Sequence, residues 1–127
     1  MSFPFNARRG LIIVQAEVFG PSGSILLRLA IDTGATATMV NVAPLVAIGY
    51  DPSLVSHRVQ VTTGSGVEFV PQINLAKMKV LGQERTQFLV LSHTLPPTAS
   101  IDGLLGLDFF RGQKLAIDFL NGNISLI

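Results

Sequence analysis

Cysteine is absent from the 127 residues, which excludes disulfides and thiol chemistry and leaves the redox compartment undetermined. Charge is scarce. Charged residues make up 13% of the chain and hydrophobic ones 48%, against roughly a quarter charged in an average soluble protein. So little charge leaves a lone monomer with apolar surface to cover, and such surface marks a partner or ligand interface. An oligomer is the expectation. Basic clusters are missing too: Arg8-Arg9 is the only pair and the net charge is +1, so neither nucleic acid nor an anionic membrane is indicated as a partner. Apolar runs such as 10–14 and 25–31 stop far short of the roughly 20 residues a membrane helix needs. In "MSFPFNARRG" the basic pair comes after the short apolar start, the reverse of a secretory signal, and predicts a cytoplasmic chain.

Other chemistries fail for want of parts. His57 and His93 are the only histidines, with no third ligand at a metal-binding spacing, so no metal and no cofactor are expected. No Gly-x-Ser-x-Gly elbow supports a serine hydrolase. The "GSG" at 64–66 lacks the lysine and helix start of a phosphate-binding loop.

The rest of the chain is mostly strand. "LIIVQAEVF" (11–19) and "SILLRLAID" (24–32) flank the turn cluster "GPSG" and predict a hairpin. "NVAPLVAIGY" (41–50) predicts a short helix capped by Asn41, with Pro44 in its first turn and Gly49 at its end. "HRVQVTT" (57–63) and "VEFVPQI" (67–73) alternate around the glycine tip as a second hairpin. A further strand pair is expected from 74–82 and 84–92, and 101–113 begins apolar and ends as a short helix. Two short strands around Asn121-Gly122 close the chain. With no linker or low-complexity segment, residues 1–127 are expected to form one all-β domain with one or two short helices.

One carboxylate stands apart. In "LAIDTGATA" (29–37) an apolar strand runs into Asp32, Thr33 and Gly34. Glycine lets the backbone turn sharply and lets neighbouring chain approach, and the threonine hydroxyl and loop N–H groups can fix the carboxylate. A rigid, tunable aspartate suits acid or base catalysis, although the same tripeptide also serves as a simple Asx turn. Context separates the two readings. After the triplet come the glycine-tipped hairpin and then "GLLGLDFF" (103–110). In that order the chain resembles the retropepsin-like aspartic proteases, the retroviral type and its bacterial relatives, over nearly its whole length from Leu11 on.

The resemblance implies a closed barrel acting as a homodimer, an aspartic endopeptidase whose substrate is a peptide or protein. It makes Asp32 the catalytic carboxylate, with Thr33 and Gly34 completing the loop and Thr33 reaching across the dimer. Ala35, the flap tip Gly64, Ser65 and Gly66, and Leu105 are implied as substrate contacts. Val42 and Ile73 join Leu105 as expected apolar pocket walls. Leu104, Leu105 and Gly106 match the hydrophobic-hydrophobic-glycine element beneath the catalytic loop, and Asp108 falls where relatives carry Asn or Asp. Leu107 departs from the pattern, since retroviral enzymes have an arginine there that stabilises the dimer. The pepsin-type flap tyrosine has no counterpart, because the only tyrosine is Tyr50. Asp102 precedes a glycine without a threonine between and is not a second signature. In the retroviral enzymes the chain ends interleave between subunits, and the carboxy-terminal strand is expected to do so here. Two carboxylates would share one proton, and Ala35, unable to hydrogen-bond the ionised pair, predicts activity from mildly acidic to near-neutral pH. The competing reading is a catalytically silent peptide-binding or dimerisation module with the same fold.

Overall fold

The computed structural model describes residues 1–127, apart from the side chain of Thr63. The strands in chain order are β1 (Ser2–Pro4), β2 (Ile13–Gly20), β3 (Gly23–Ile31), β4 (Met39–Val40), β5 (Arg58–Thr63), β6 (Gly66–Val80), β7 (Gln83–Ser92), β8 (Gly103–Leu105), β9 (Leu115–Asp118) and β10 (Asn123–Leu126). Two helices, α1 (Val42–Ala47) and α2 (Leu107–Phe110), interrupt them.

Period-two patterning sets which side of each strand faces in. Along β2, Val14, Ala16 and Val18 are buried and Gln15 is exposed, while along β3, Leu27 and Leu29 are buried against exposed Leu26 and Arg28. Six strands close on themselves in the order β2-β3-β8-β4-β7-β6, with β6 pairing back onto β2. Closure removes the open edges that a flat sheet would carry. Leu27, Leu29, Leu45, Leu75, Met78 and Phe109 fill the interior.

Tyr50 fastens the seam. Pairing of β2 with β6 ends at Phe19 and Lys77. Just beyond, the Tyr50 hydroxyl donates to the Phe19 carbonyl (2.7 Å) and accepts from the Ala76 N–H (2.8 Å).

The two strand segments expected over 67–73 and 74–82 are one strand. β6 runs 15 residues without a break, pairing with β5 up to Pro71 and with β7 from Gln72 on. Pro71 sits at the handover between partners, where its missing N–H is tolerated. The β5–β6 hairpin is therefore an extension of a barrel strand, not an appended loop. Asn41 precedes α1 as expected, but its side chain does not cap the helix. Its amide instead accepts from the Leu95 N–H (3.0 Å) and donates to the Ile101 carbonyl (3.3 Å), and the Thr94 hydroxyl accepts from the Val42 N–H (3.1 Å).

The chain ends form a separate three-stranded antiparallel sheet, ordered β1-β10-β9. Ile124 and Leu126 point from it into the core. The carboxy-terminal strand β10 is thus central, with both edges occupied by its own chain. This arrangement differs from the expected interleaving of that strand with a second copy.

Candidate active site

β3 and β4 are consecutive in sequence but not neighbours in the sheet: β8 lies between them, parallel to β3 and antiparallel to β4. The connection 32–38 must therefore cross over the end of β8, and it carries Asp32. Gly103 makes the insertion possible, since a Cβ there would stand 2.1 Å from the Met39 carbonyl oxygen.

The loop is locked onto the end of β8 and the first residues of α2. The Asp32 N–H donates to the Leu105 carbonyl (3.0 Å), the Ala35 N–H to the Asp32 carbonyl (3.1 Å), and the Leu107 N–H to the Ala35 carbonyl (2.8 Å). Gly106 packs flat beneath the loop. A Cβ there would meet the Ala37 carbonyl carbon at 2.7 Å and the Ala35 carbonyl oxygen at 2.9 Å. Thr38, fully buried, makes the deepest tie: its N–H and hydroxyl donate to the Asp108 carboxylate (2.9 and 2.7 Å), and its hydroxyl accepts from the Gly106 N–H (3.1 Å). Neutralising buried donors with a carboxylate is a strong tether, because charge-assisted hydrogen bonds are the shorter and stronger kind.

Within this frame Asp32 is half-buried. Its Oδ1 accepts from the Gly34 N–H (2.9 Å), and Oδ2 takes no hydrogen bond from the described residues. One oxygen is thus oriented by backbone and the other is open to a reactant. Thr33 and Gly34 are exposed, and the Thr33 hydroxyl makes no hydrogen bond within the described residues. Ala35 is half-buried.

Gly64, Ser65 and Gly66 form the exposed tip of the β5–β6 hairpin. Glu68 of that hairpin reaches His93 on the barrel (3.9 Å). Leu105 and Ile73, expected to line a pocket, do not: both side chains are buried in the core. Alternation explains it, because Leu105 turns inward and offers the loop only its carbonyl. A cavity of about 390 Å³ adjoins the loop, lined by Ala37, Gln72, Phe88 and Asp108 among others. A larger one of about 740 Å³ lies between β1, β2 and the turn joining β6 to β7, and contains none of the loop residues.

Asp102, which the sequence does not mark as a second signature, has a structural role. Its Oδ2 accepts from the Arg28 N–H and its N–H donates to the Arg28 carbonyl (both 2.8 Å), clamping the entry to β8 against β3. Sequence reasoning misses Thr38 and Gly103. For Thr38 the available signal is a hydroxyl within an otherwise apolar stretch, "ATMV". Among the described residues no cluster of three or more His, Cys, Asp or Glu side chains is placed to hold a metal. Among the described residues no helix is long and apolar enough to cross a membrane.

A family model described as "gag-polyprotein putative aspartyl protease" matches residues 23–112. No curated protein matches the sequence. Among solved structures, a retropepsin-like aspartic protease from Rickettsia conorii is similar, with a TM-score of 0.72 at 20% identity over 99% of this chain and 88% of that one. The barrel with its two short helices is the retropepsin-like fold.

Proposed function

Because this chain belongs to the gag-polyprotein aspartyl protease family, we propose that it is a homodimeric aspartic endopeptidase, with residues 1–127 as one protease domain. The observation that carries the reading is a single oriented carboxylate. Asp32 is held at Oδ1 by Gly34, on a loop fastened to Leu105, Gly106 and Asp108, with the exposed hydroxyl of Thr33 beside it and unpaired among the described residues.

Peptide hydrolysis needs an acid and a base at once, and one carboxylate cannot be both. A second copy, related by a two-fold axis, supplies the other. One ionised Asp32 takes a proton from a bound water as its oxygen attacks the peptide carbonyl carbon. The protonated Asp32 of the other copy gives its proton to the carbonyl oxygen, forming a tetrahedral diol. As the diol collapses and the C–N bond breaks, the protonated carboxyl gives its proton to the amine nitrogen and the ionised one takes a proton from a diol hydroxyl. Acid and amine products leave, and the pair again holds one proton. Thr33 positions each loop across the axis and Gly34 holds the carboxylate oxygen. The peptide lies extended between the two hairpins, against Ala35 and the tips Gly64, Ser65 and Gly66, as an added strand. Leu105 acts through its carbonyl on the Asp32 loop in place of the side-chain contact expected of it.

The test is cleavage of a diverse peptide mixture between about pH 4 and 7, the range over which carboxylates and histidines titrate, read by mass spectrometry. The expected result is cleavage by the wild-type protein and none by Asp32→Asn. Absence of cleavage from a protein shown to be dimeric would refute the enzyme and leave a binding module.

A further inference from the structure

We propose that two copies join along the outer edge of β9, centred on Ala116, so that the two terminal sheets merge into one six-stranded sheet. The inference rests on the homodimer reading above and specifies how the second copy is held.

The terminal sheet decides which of its edges can take a partner. Lys114 and Ile127 exchange hydrogen bonds (2.9 and 3.1 Å), which fixes the parity of the β9–β10 ladder. In an antiparallel pair the bonded positions recur every second residue, so Ala116 and Asp118 also point their backbone groups at β10. Leu115 and Ile117 then point theirs outward, and β9 has no other strand partner among the described residues. β10 has none to give, being paired on both sides. At β1 the parity runs the other way. The Phe5 N–H donates to the Gly122 carbonyl (2.9 Å), so Ser2 and Pro4 face outward, and Pro4 lacks an N–H. That edge is protected in the manner of natural edge strands. β9, by contrast, has no proline and keeps the N–H groups of Leu115 and Ile117 on its outer edge.

A two-fold axis through Ala116 satisfies every outward group. Leu115 exchanges both bonds with the partner's Ile117, and Ile117 with the partner's Leu115. Ala116 faces the partner's Ala116 as the close, non-bonded pair. The residues that continue the edge are apolar and open: Phe119 is 61% and Leu120 92% exposed. Across such a junction they run beside the partner's segment that leads into β9, where Gly112 has nothing within 4 Å of a built Cβ. The same axis must pass between the two Asp32 loops, which makes the junction part of assembling the site.

The absence of cysteine makes the test clean. Ala116 is exposed, and paired Cα atoms about 4.5 Å apart fall within the span of a disulfide, about 4.4–6.8 Å. Ala116→Cys is expected to form a disulfide-linked dimer under mild oxidation, at a protein concentration where wild-type sediments as a dimer, and to keep its peptide cleavage. Ser125→Cys sits on the same face one strand inward, about 14 Å from its mate by strand spacing, and is expected to stay unlinked. If wild-type is an active dimer while Ala116→Cys fails to link, or Ser125→Cys links as readily, the β9 junction is wrong and the protease reading stands. If wild-type is monomeric and inactive, both fall.

Discussion

Thr38→Val tests how the catalytic loop is held. Valine has nearly the shape of threonine, and Thr38 is fully buried, so little changes except the hydroxyl. Two interactions go. The hydroxyl no longer donates to Asp108 Oδ1 (2.7 Å), and the Gly106 N–H loses its acceptor (3.1 Å). A hydrogen bond to a charged group contributes about 1.5–3 kcal/mol, and an orphaned buried donor costs about 1–3 kcal/mol. The added methyl returns about 0.8 kcal/mol. The net loss is about 2–5 kcal/mol. With an m-value of about 1.5 kcal/mol/M, the urea midpoint falls by about 1.3–3.3 M at fixed protein concentration. Thr38→Ser supplies the control, since it keeps the hydroxyl and deletes one buried methyl at about 0.5–1.5 kcal/mol. The expected order of stability is wild-type, Thr38→Ser, Thr38→Val. The reverse order for the two variants would refute the reasoning, because it would mean that Thr38 is there for its methyl and the tether to Asp108 is incidental.

Gly106→Ala isolates sterics from backbone strain. Its φ of −93° and ψ of −176° suit any residue, yet a Cβ would press on the Ala35 and Ala37 backbone at 2.7–2.9 Å. A stability loss of about 1–3 kcal/mol in thermal melts is expected, with kcat/KM down at least about tenfold as the Asp32 loop is displaced. At Asp118 the Asn121 N–H and side-chain amide hold the carboxyl below the usual carboxylate range; burial opposes them and the Leu120 N–H adds a lesser lowering. A carboxyl depressed in the folded state contributes stability above its unfolded pKa, and that contribution fades as pH falls through the folded value. Asp118→Ala should therefore lower Tm near pH 7, with the gap closing as pH drops below about 4. A gap that persists at pH 2 would contradict the ionic origin.

Local rules made much of this fold legible. The β2–β3 hairpin turns at Pro21 and Ser22 inside "GPSG", and the chain leaves α1 through Gly49, whose φ of +101° needs a glycine. What sequence periodicity misses is anything decided by distant partners. β6 reads as two strands, 67–73 and 74–82, because each part is matched to a different hairpin partner, and only the change of neighbour from β5 to β7 at Pro71 shows that one strand serves both. The turn at Asn121-Gly122 is wider than a two-residue turn, because the Asp118 carboxylate gathers residues 120 and 121. At the site, Asp32, Thr33 and Gly34 are visible as a motif with a mechanical logic. The support is not visible: Thr38 and Asp108 are 70 residues apart in the chain, and the inward turn of Leu105 depends on how β8 is flanked. Asn41 illustrates the same limit, since a helix-capping residue type is drawn instead to loop groups at 95 and 101.

The terminal sheet also has a bearing on folding kinetics. Pairing Ser2 with Ser125 and Pro4 with Asn123 joins positions about 120 residues apart, so the chain closes almost into a ring. Contacts of that span have the largest loop entropy to overcome and are made late. Until they form, β10 exposes the edge that β1 will cover, and a nascent or refolding chain offers a second adhesive strand that the finished protein does not. If two copies join at β9 as proposed, completion of the ring would leave that edge as the place of attachment once the barrel beneath it is built. Slow refolding with concentration-dependent losses before that step, and clean pairing after it, is the kinetic signature such a topology imposes.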